Sequence, residues 1–317
     1  MSSSNNGFML EVKGLDKRFG QVHAVKDLNF QIRKGEIFGF LGPNGAGKTT
    51  TMRMITCYMP PTSGSVRVDG LDPVEQSLAV RQKIGYLPEN NPLYNEMTVR
   101  EYLQFVGEIR GIKGSKLSSR IDEMYNVCGL TKMSNRLLGH LSKGYRQRVG
   151  LAQAMIHNPD LLILDEPMTG LDPNQIIEIR NLIKKMGHEK TVIYCSHILS
   201  EVSATCDRIL IINEGQIAAS GTPEELTQKS SSGTSYQVRL KGDRYEIETR
   251  LSGIAGVSSI KVQSVENEWV SLTLSTGSKD DIGELIFKCA VDNKWSLSEL
   301  KAETVSLEEV FKQLTRG

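Results

Sequence analysis

Residues 37–55 read IFGFLGPNGAGKTTTMRMI. The pattern changes twice within this stretch. Ile37–Leu41 is an apolar run of strand length, the next six residues are rich in glycine, and Met52 and Ile55 recur at helical spacing. Gly42, Gly47, Lys48 and Thr49 fill the fixed positions of G-x-x-x-x-G-K-[ST], with Pro43, Asn44, Gly45 and Ala46 between them. Glycines let successive backbone N–H groups turn inward around an anion. The helix that follows points its positive end at the same place. Lys48 is expected to reach β- and γ-phosphates and the Thr49 hydroxyl to ligate Mg²⁺, with Thr50 beside it in the first turn.

A phosphate cradle of this kind needs a metal-binding carboxylate nearby. Leu161-Leu-Ile-Leu164-Asp165-Glu166 supplies one at the end of a buried-strand pattern. Asp165 is expected to hold Mg²⁺, directly or through water. Glu166, one residue on, is placed to act as general base on an attacking water.

Outward from these two elements, Leu28, Phe30 and Ile32 alternate like a strand. Asp72-Pro73 suggests a capped helix start, and Thr98 and Glu101 have capping-box spacing. Leu117, Ile121, Met124 and Cys128 follow at helical spacing, with Gly129 as the stop. Residues 90–157 therefore read as a helical lobe inserted in an α/β core. From Leu161 strands and helices alternate again, and Glu214-Gly215 suggests a hairpin turn.

Residues 1–229 form the expected main domain, and the polar stretch around 230–235 a linker. Residues 236–317 read as a small α+β domain, for which a ferredoxin-like arrangement is the candidate. Strands are expected around Tyr236–Leu240, Val270–Leu274 and Trp295–Leu300. Helices are expected around Ile247–Ile254 and Ile282–Cys289, with a last one capped by Ser306 and Glu309.

The 317 residues carry 38 lysines and arginines against 37 acidic residues, so no bulk electrostatic case for nucleic acid arises. No run approaches the roughly 18 apolar residues of a transmembrane helix, and the N-terminus shows no signal-peptide pattern. Five scattered cysteines without a C-x-x-C suit reduced thiols in the cytoplasm. His23, His140, His157 and His188 show no ligand spacing.

Between the phosphate loop and Asp165 lies Leu141-Ser142-Lys143-Gly144-Tyr145-Arg146-Gln147-Arg148. Ser142 reads as the N-cap of a helix carrying Val149, Ala152 and Ile156. Gly170-Leu171-Asp172 and His197, in Tyr-Cys-Ser-His-Ile, come later. In this order, over residues 8–225, the motifs resemble the ATP-binding cassette (ABC) ATPase family. LSKGY departs from that family's L-S-G-G-Q signature at Lys143 and Tyr145 and keeps Ser142 and Gly144.

The resemblance implies a P-loop NTPase (RecA-like) core with a β-rich N-terminal subdomain and an inserted helical subdomain. It implies Phe19 as the aromatic that stacks on adenine and His197 as the residue that contacts the γ-phosphate of ATP. Glu89 stands where the family usually has glutamine. A carboxylate still accepts from a metal-bound water, so Glu89 is retained as a metal-side contact.

The family also implies a head-to-tail dimer, in which Ser142 and Gly144 of one subunit cap the ATP held by the other. Separate integral membrane permease subunits are the implied partners, with the region Tyr94–Phe105 as their docking site. This places the chain as a cytoplasmic, peripheral subunit on the inner face of the membrane. IGYLPENNPLYNEMTVREYL and GLDPNQIIEIRNLIK look like gliding-motility-associated and drug or polysaccharide exporter ATPases. The alternative is a soluble, non-transport ABC ATPase acting on ribosomes or DNA. Such proteins usually carry two cassettes or long insertions, and this sequence shows one cassette.

Overall fold

The computed structural model describes residues 7–230, 235–277, 281–303 and 307–315. The chain opens with β1 (Phe8–Phe19) and β2 (Val22–Arg33), paired antiparallel, then β3 (Ile37–Leu41) and α1 (Lys48–Ile55). β4 (Ser63–Val68) returns to β1, closing a three-stranded sheet in the order β2-β1-β4. Alternation decides its inner face: Leu10, Val12, Leu28, Ile32, Val66 and Val68 are buried in one core with Phe38 and Phe40 of β3 and Met52 and Ile55 of α1.

The next helix, α2 (Ser77–Lys83), begins later than Asp72-Pro73 suggests. The Asp72 carboxylate accepts from the N–H groups of Val74 and Glu75, and the Gln76 N–H closes one turn onto the Asp72 carbonyl. The Gln76 side chain then folds back to accept from the Asp72 N–H, while its own backbone leaves the helical region at φ −121°. The expected cap thus closes a single turn that does not propagate.

β5 (Ile84–Leu87) leads into the helical lobe of α3 (Val99–Ile109), α4 (Gly114–Cys128) and α5 (Lys143–Met155). Thr98 and Glu101 form the reciprocal capping box at the start of α3. The last carbonyls of α5 are satisfied by Arg120, which donates to Met155 and Ile156.

The chain then alternates through β6 (Leu161–Asp165), α6 (Pro173–Gly187), β7 (Thr191–Ser196), α7 (Leu199–Ser203), β8 (Arg208–Asn213) and β9 (Gln216–Gly221). The six-stranded sheet has the order β5-β6-β7-β3-β8-β9, parallel except for the last pair. Glu214 and Gly215, both at positive φ, make the hairpin turn into β9. β3, β6 and β7 are buried at every residue, as strands covered on both faces must be. Ligands of open parallel sheets bind beyond the carboxyl ends of the strands, which here places Gly42, Asp165 and Ser196 together.

By its internal contacts the chain divides at Thr222–Pro223 into two compact units. The second begins with α8 (Pro223–Ser230) and continues as β10 (Ser235–Lys241), α9 (Arg244–Ser252), β11 (Val257–Glu266), β12 (Trp269–Thr276), α10 (Gly283–Asp292), β13 (Ser296–Glu303) and α11 (Leu307–Thr315). Its sheet runs β11-β12-β10-β13, antiparallel throughout. From β10 to β13 the order β-α-β-β-α-β with this pairing is a ferredoxin-like arrangement.

Val238, Leu240, Leu272 and Leu274 pack on Ile247, Leu251, Ile286 and Ala290 of α9 and α10. Ser306, expected to cap the last helix, lies outside the described residues, as do 231–234 of the expected linker. All five cysteines are free. Among the described residues, no helix is long and apolar enough to cross a membrane.

Candidate active site

The loop after β3 takes its shape from two left-handed residues, Gly45 at φ +81° and Gly47 at φ +104°, the latter immediately before α1. Lys48, 7% exposed, extends back along the loop and donates to the carbonyls of Gly42 at 2.7 Å and Pro43 at 3.2 Å. Thr49 and Thr50 sit in the first turn of α1. A cavity of about 310 Å³ opens over this loop; Thr49, Thr50, Ala24 of β2, Glu89, Asp165 and Glu166 also line it.

Asp165 ends β6 and is almost fully buried. Its Oδ2 accepts from the Thr49 hydroxyl at 3.4 Å, whereas its Oδ1 is buried without any hydrogen-bond partner. Burial, reinforced by the charges of Glu166 and Glu89, pushes the Asp165 carboxyl up to about 6. Three carboxylates therefore share the cavity wall with a single lysine, Lys48.

Glu166 is 7% exposed and adopts a left-handed backbone, φ +50°. Its Oε1 accepts from His197 Nδ1 at 2.8 Å and lies 4.0 Å from Lys48 Nζ. Its Oε2 accepts from the Thr169 hydroxyl at 3.3 Å and lies 3.4 Å from the Ser196 hydroxyl oxygen. The carboxylate is therefore held on both oxygens, with its face toward the loop. Thr169 and Ser196 escaped the sequence reading. Only the position of Ser196, immediately before His197 at the end of β7, could have pointed to it.

The other expected residues lie apart from this cluster. Phe19 ends β1, is 47% exposed and carries the Lys17 ammonium over its ring, 5.3 Å from the centroid. Ser142 caps α5, accepting from the Tyr145 N–H at 3.5 Å; it is exposed, while Gly144 is buried against Gln175. Neither Phe19, Ser142 nor Gly144 lines the cavity of its own chain.

Residues 25–169 match the family model described as ABC transporter. The linearmycin resistance ATP-binding protein LnrL of Bacillus subtilis (strain 168) is 32% identical over 308 residues, covering 97% of this chain and 98% of that protein. The bacitracin transport ATP-binding protein BcrA of Enterococcus faecalis is 36% identical over 233 residues, covering 73% of this chain and 75% of that one. A solved dimeric ATP-binding cassette in a post-hydrolysis state, bound to ADP and Pi, superposes with a TM-score of 0.62 at 26% identity, covering 68% of this chain and 98% of that one. With a relative of this identity along almost its whole length, and a phosphate loop, strand-end carboxylates and histidine gathered at the carboxyl ends of β3, β6 and β7, the chain belongs to the ABC transporter ATP-binding family and is an ABC ATPase.

Proposed function

We propose that this chain hydrolyses ATP in the cavity over Gly42–Thr50 and powers export through separate membrane permease subunits. The observation that carries the reading is Glu166, clamped by His197 and Thr169 beside Lys48. Glu166 takes a proton from the attacking water as the water oxygen bonds to the γ-phosphorus. The bond from that phosphorus to the β,γ-bridging oxygen breaks, and ADP and phosphate form. Lys48 and the loop N–H groups meet the charge on the phosphate oxygens. His197, 40% exposed in its side chain, faces the γ-phosphate side while it orients Glu166.

The donor set fits Mg²⁺. The Asp165 Oδ1 is a buried oxygen without a partner, next to the Thr49 hydroxyl, and both are the oxygen donors this ion takes. Asp165 and Thr49 would therefore hold the ion from the protein side. When bound, the ion neutralises charge on the phosphates and helps align them. Glu89, on the same wall, would contact it through water.

Ser142 and Gly144 lie outside their own chain's cavity, which supports their action in trans, on the nucleotide held by a second copy. Phe19, on the exposed end of β1, stacks on adenine. A groove of about 270 Å³ between Glu89–Leu93 and the start of α5 adjoins Tyr94, which is 53% exposed and packs edge-on to Tyr102 and Phe105. We assign the permease contact to this region. Residues 1–229 act as the ATPase domain and 236–317 as an accessory domain. The names of the relatives, linearmycin resistance and bacitracin transport, favour export of a drug-like cargo and lend gliding motility no support.

The deciding experiment is Glu166→Gln. Turnover falls by about 100-fold or more, ATP affinity is retained, and ATP drives a stable dimer detected by light scattering. Undiminished turnover sinks the assignment of Glu166 as base.

A further inference from the structure

Behind Glu166 lies a second buried carboxylate that the chemistry above does not use. Glu201, in the first turn of α7, is 7% exposed. Its Oε2 accepts from the Tyr194 hydroxyl at 2.8 Å and from the Ser196 hydroxyl at 3.1 Å. The same Ser196 oxygen lies 3.4 Å from Glu166 Oε2 and accepts from the Ile198 N–H at 3.1 Å. A serine hydroxyl has one proton to donate. The two carboxylates therefore compete for it, and the shorter distance favours Glu201.

Packing alone does not call for a carboxylate at this place. Leu199 and Val202, its neighbours on α7, are buried against the sheet, and an apolar side chain at 201 would avoid the desolvation of a charge. The group is instead fixed from both sides. Burial first, and the Glu201 charge second, hold the Tyr194 phenol far above the ordinary tyrosine range, so it remains a donor. The Thr205 hydroxyl donates to the Glu201 carbonyl at 2.6 Å and anchors the backbone.

We infer that Glu201 is a positioning residue for hydrolysis: by taking the Ser196 proton it turns the lone pairs of that hydroxyl to the Ile198 N–H, and so fixes the Ser196–Ile198 turn that presents His197 to Glu166. The contacts run from Tyr194 through Glu201 and Ser196 to the Ile198 N–H, and the turn they hold carries His197, which donates to Glu166. This role rests on the reading of Glu166 as base.

The test is a double-mutant cycle on the full chain, measuring steady-state ATP hydrolysis and nucleotide affinity. Glu201→Ala is expected to lower kcat about tenfold while ATP affinity stays within about twofold, as for residues that orient a reacting group without touching substrate. Glu201→Gln keeps a carbonyl oxygen that accepts from both hydroxyls and restores most of the rate. Ser196→Ala is expected to match Glu201→Ala, and the double variant to be no slower than Ser196→Ala alone.

Additive losses in the double variant, a wild-type rate in Glu201→Ala, or a Glu201→Gln as slow as Glu201→Ala would each overturn the inference. Should Glu201→Ala fail to fold, Ser196→Ala with and without Glu201→Gln carries the same comparison. Glu166→Gln is measured alongside. A wild-type rate there removes the base and this inference together, whereas its expected loss combined with additive 196 and 201 effects removes this inference alone.

Discussion

The two compact units of this chain treat buried polarity in opposite ways. The first holds Lys48, Asp165, Glu166, Ser196, Glu201 and several threonines below the surface, most of them at the carboxyl ends of β3, β6 and β7 or just beyond. In the second, among the described residues, the buried side chains are apolar apart from Thr276 and the Tyr236 hydroxyl, which donates to Asp281. A parallel sheet covered on both faces has strand ends where desolvated charge can be gathered and paired. The four-stranded antiparallel sheet buries only the face under α9 and α10, and its other face carries Gln237, Arg239, Ser271 and Thr273 toward water. Chemistry is therefore concentrated in one unit, and the other is built as a stable shape.

Substitutions that treat the two units alike are the sharpest way to break this contrast. The largest effect is expected from Lys48→Ala, which removes the buried ammonium of the phosphate loop. ATP affinity falls about 100-fold, as loss of a charge-assisted contact of about 2–3 kcal/mol implies, and calorimetric titration reads it directly. An unchanged affinity would move the phosphate site elsewhere.

Next comes Leu240→Ala, at a fully buried position of β10. It destabilises the second unit by about 2–5 kcal/mol. Scanning calorimetry should show one transition moving down, with ATP binding at the first unit unaltered. A matching loss of ATP affinity would mean that the two units do not behave independently.

A smaller effect attaches to His157, whose Nε2 lies 3.0 Å from the Ile84 carbonyl. Burial, with Arg110 nearby, holds this imidazole down at about 4. A histidine depressed in the fold is neutral there and charges first in the unfolded chain. Its stabilising contribution is thus complete above about 6.5 and is lost as pH falls from there toward 4. His157→Gln should flatten the first unit's stability over that window by thermal melting; an equally steep acid loss in the variant would assign the titration to other groups.

The smallest effect is expected from deleting residues 236–317, which should leave ATP affinity within about twofold. A larger loss with folding preserved would give the second unit a share in the site.

What could be read from sequence follows from how locally each feature is encoded. β3 and the first four residues of β6 are continuous apolar runs, and the loop between β3 and α1 is specified by glycines whose backbone angles no other residue adopts as easily. Both therefore declare themselves within a dozen residues. β11 does not. It is an edge strand, Val257–Glu266, whose side chains are mostly exposed and so carry no buried alternation to detect.

Asp72-Pro73 shows the converse failure, a helix-start signal whose single turn ends where the Gln76 backbone leaves the helical region while its side chain accepts from the Asp72 N–H. Thr169 and Ser196 adjoin Glu166 and Glu201 holds Ser196, from three places in the chain, and Glu201 lies 35 positions beyond Glu166. No local pattern marks a serine or glutamate as part of such a network; only the juxtaposition of β6, β7 and α7 does.

The left-handed backbone of Glu166 has a further consequence. A non-glycine residue at φ +50° holds the chain about 1 kcal/mol above what glycine would require there. Tolerating that strain positions a carboxylate at the end of β6 where an ordinary extended residue would direct its side chain elsewhere. With Glu166 as the proposed base, durability and turnover are in opposition at this position. A search for hardier variants should accumulate changes there that sacrifice catalysis, so activity must be selected together with heat resistance.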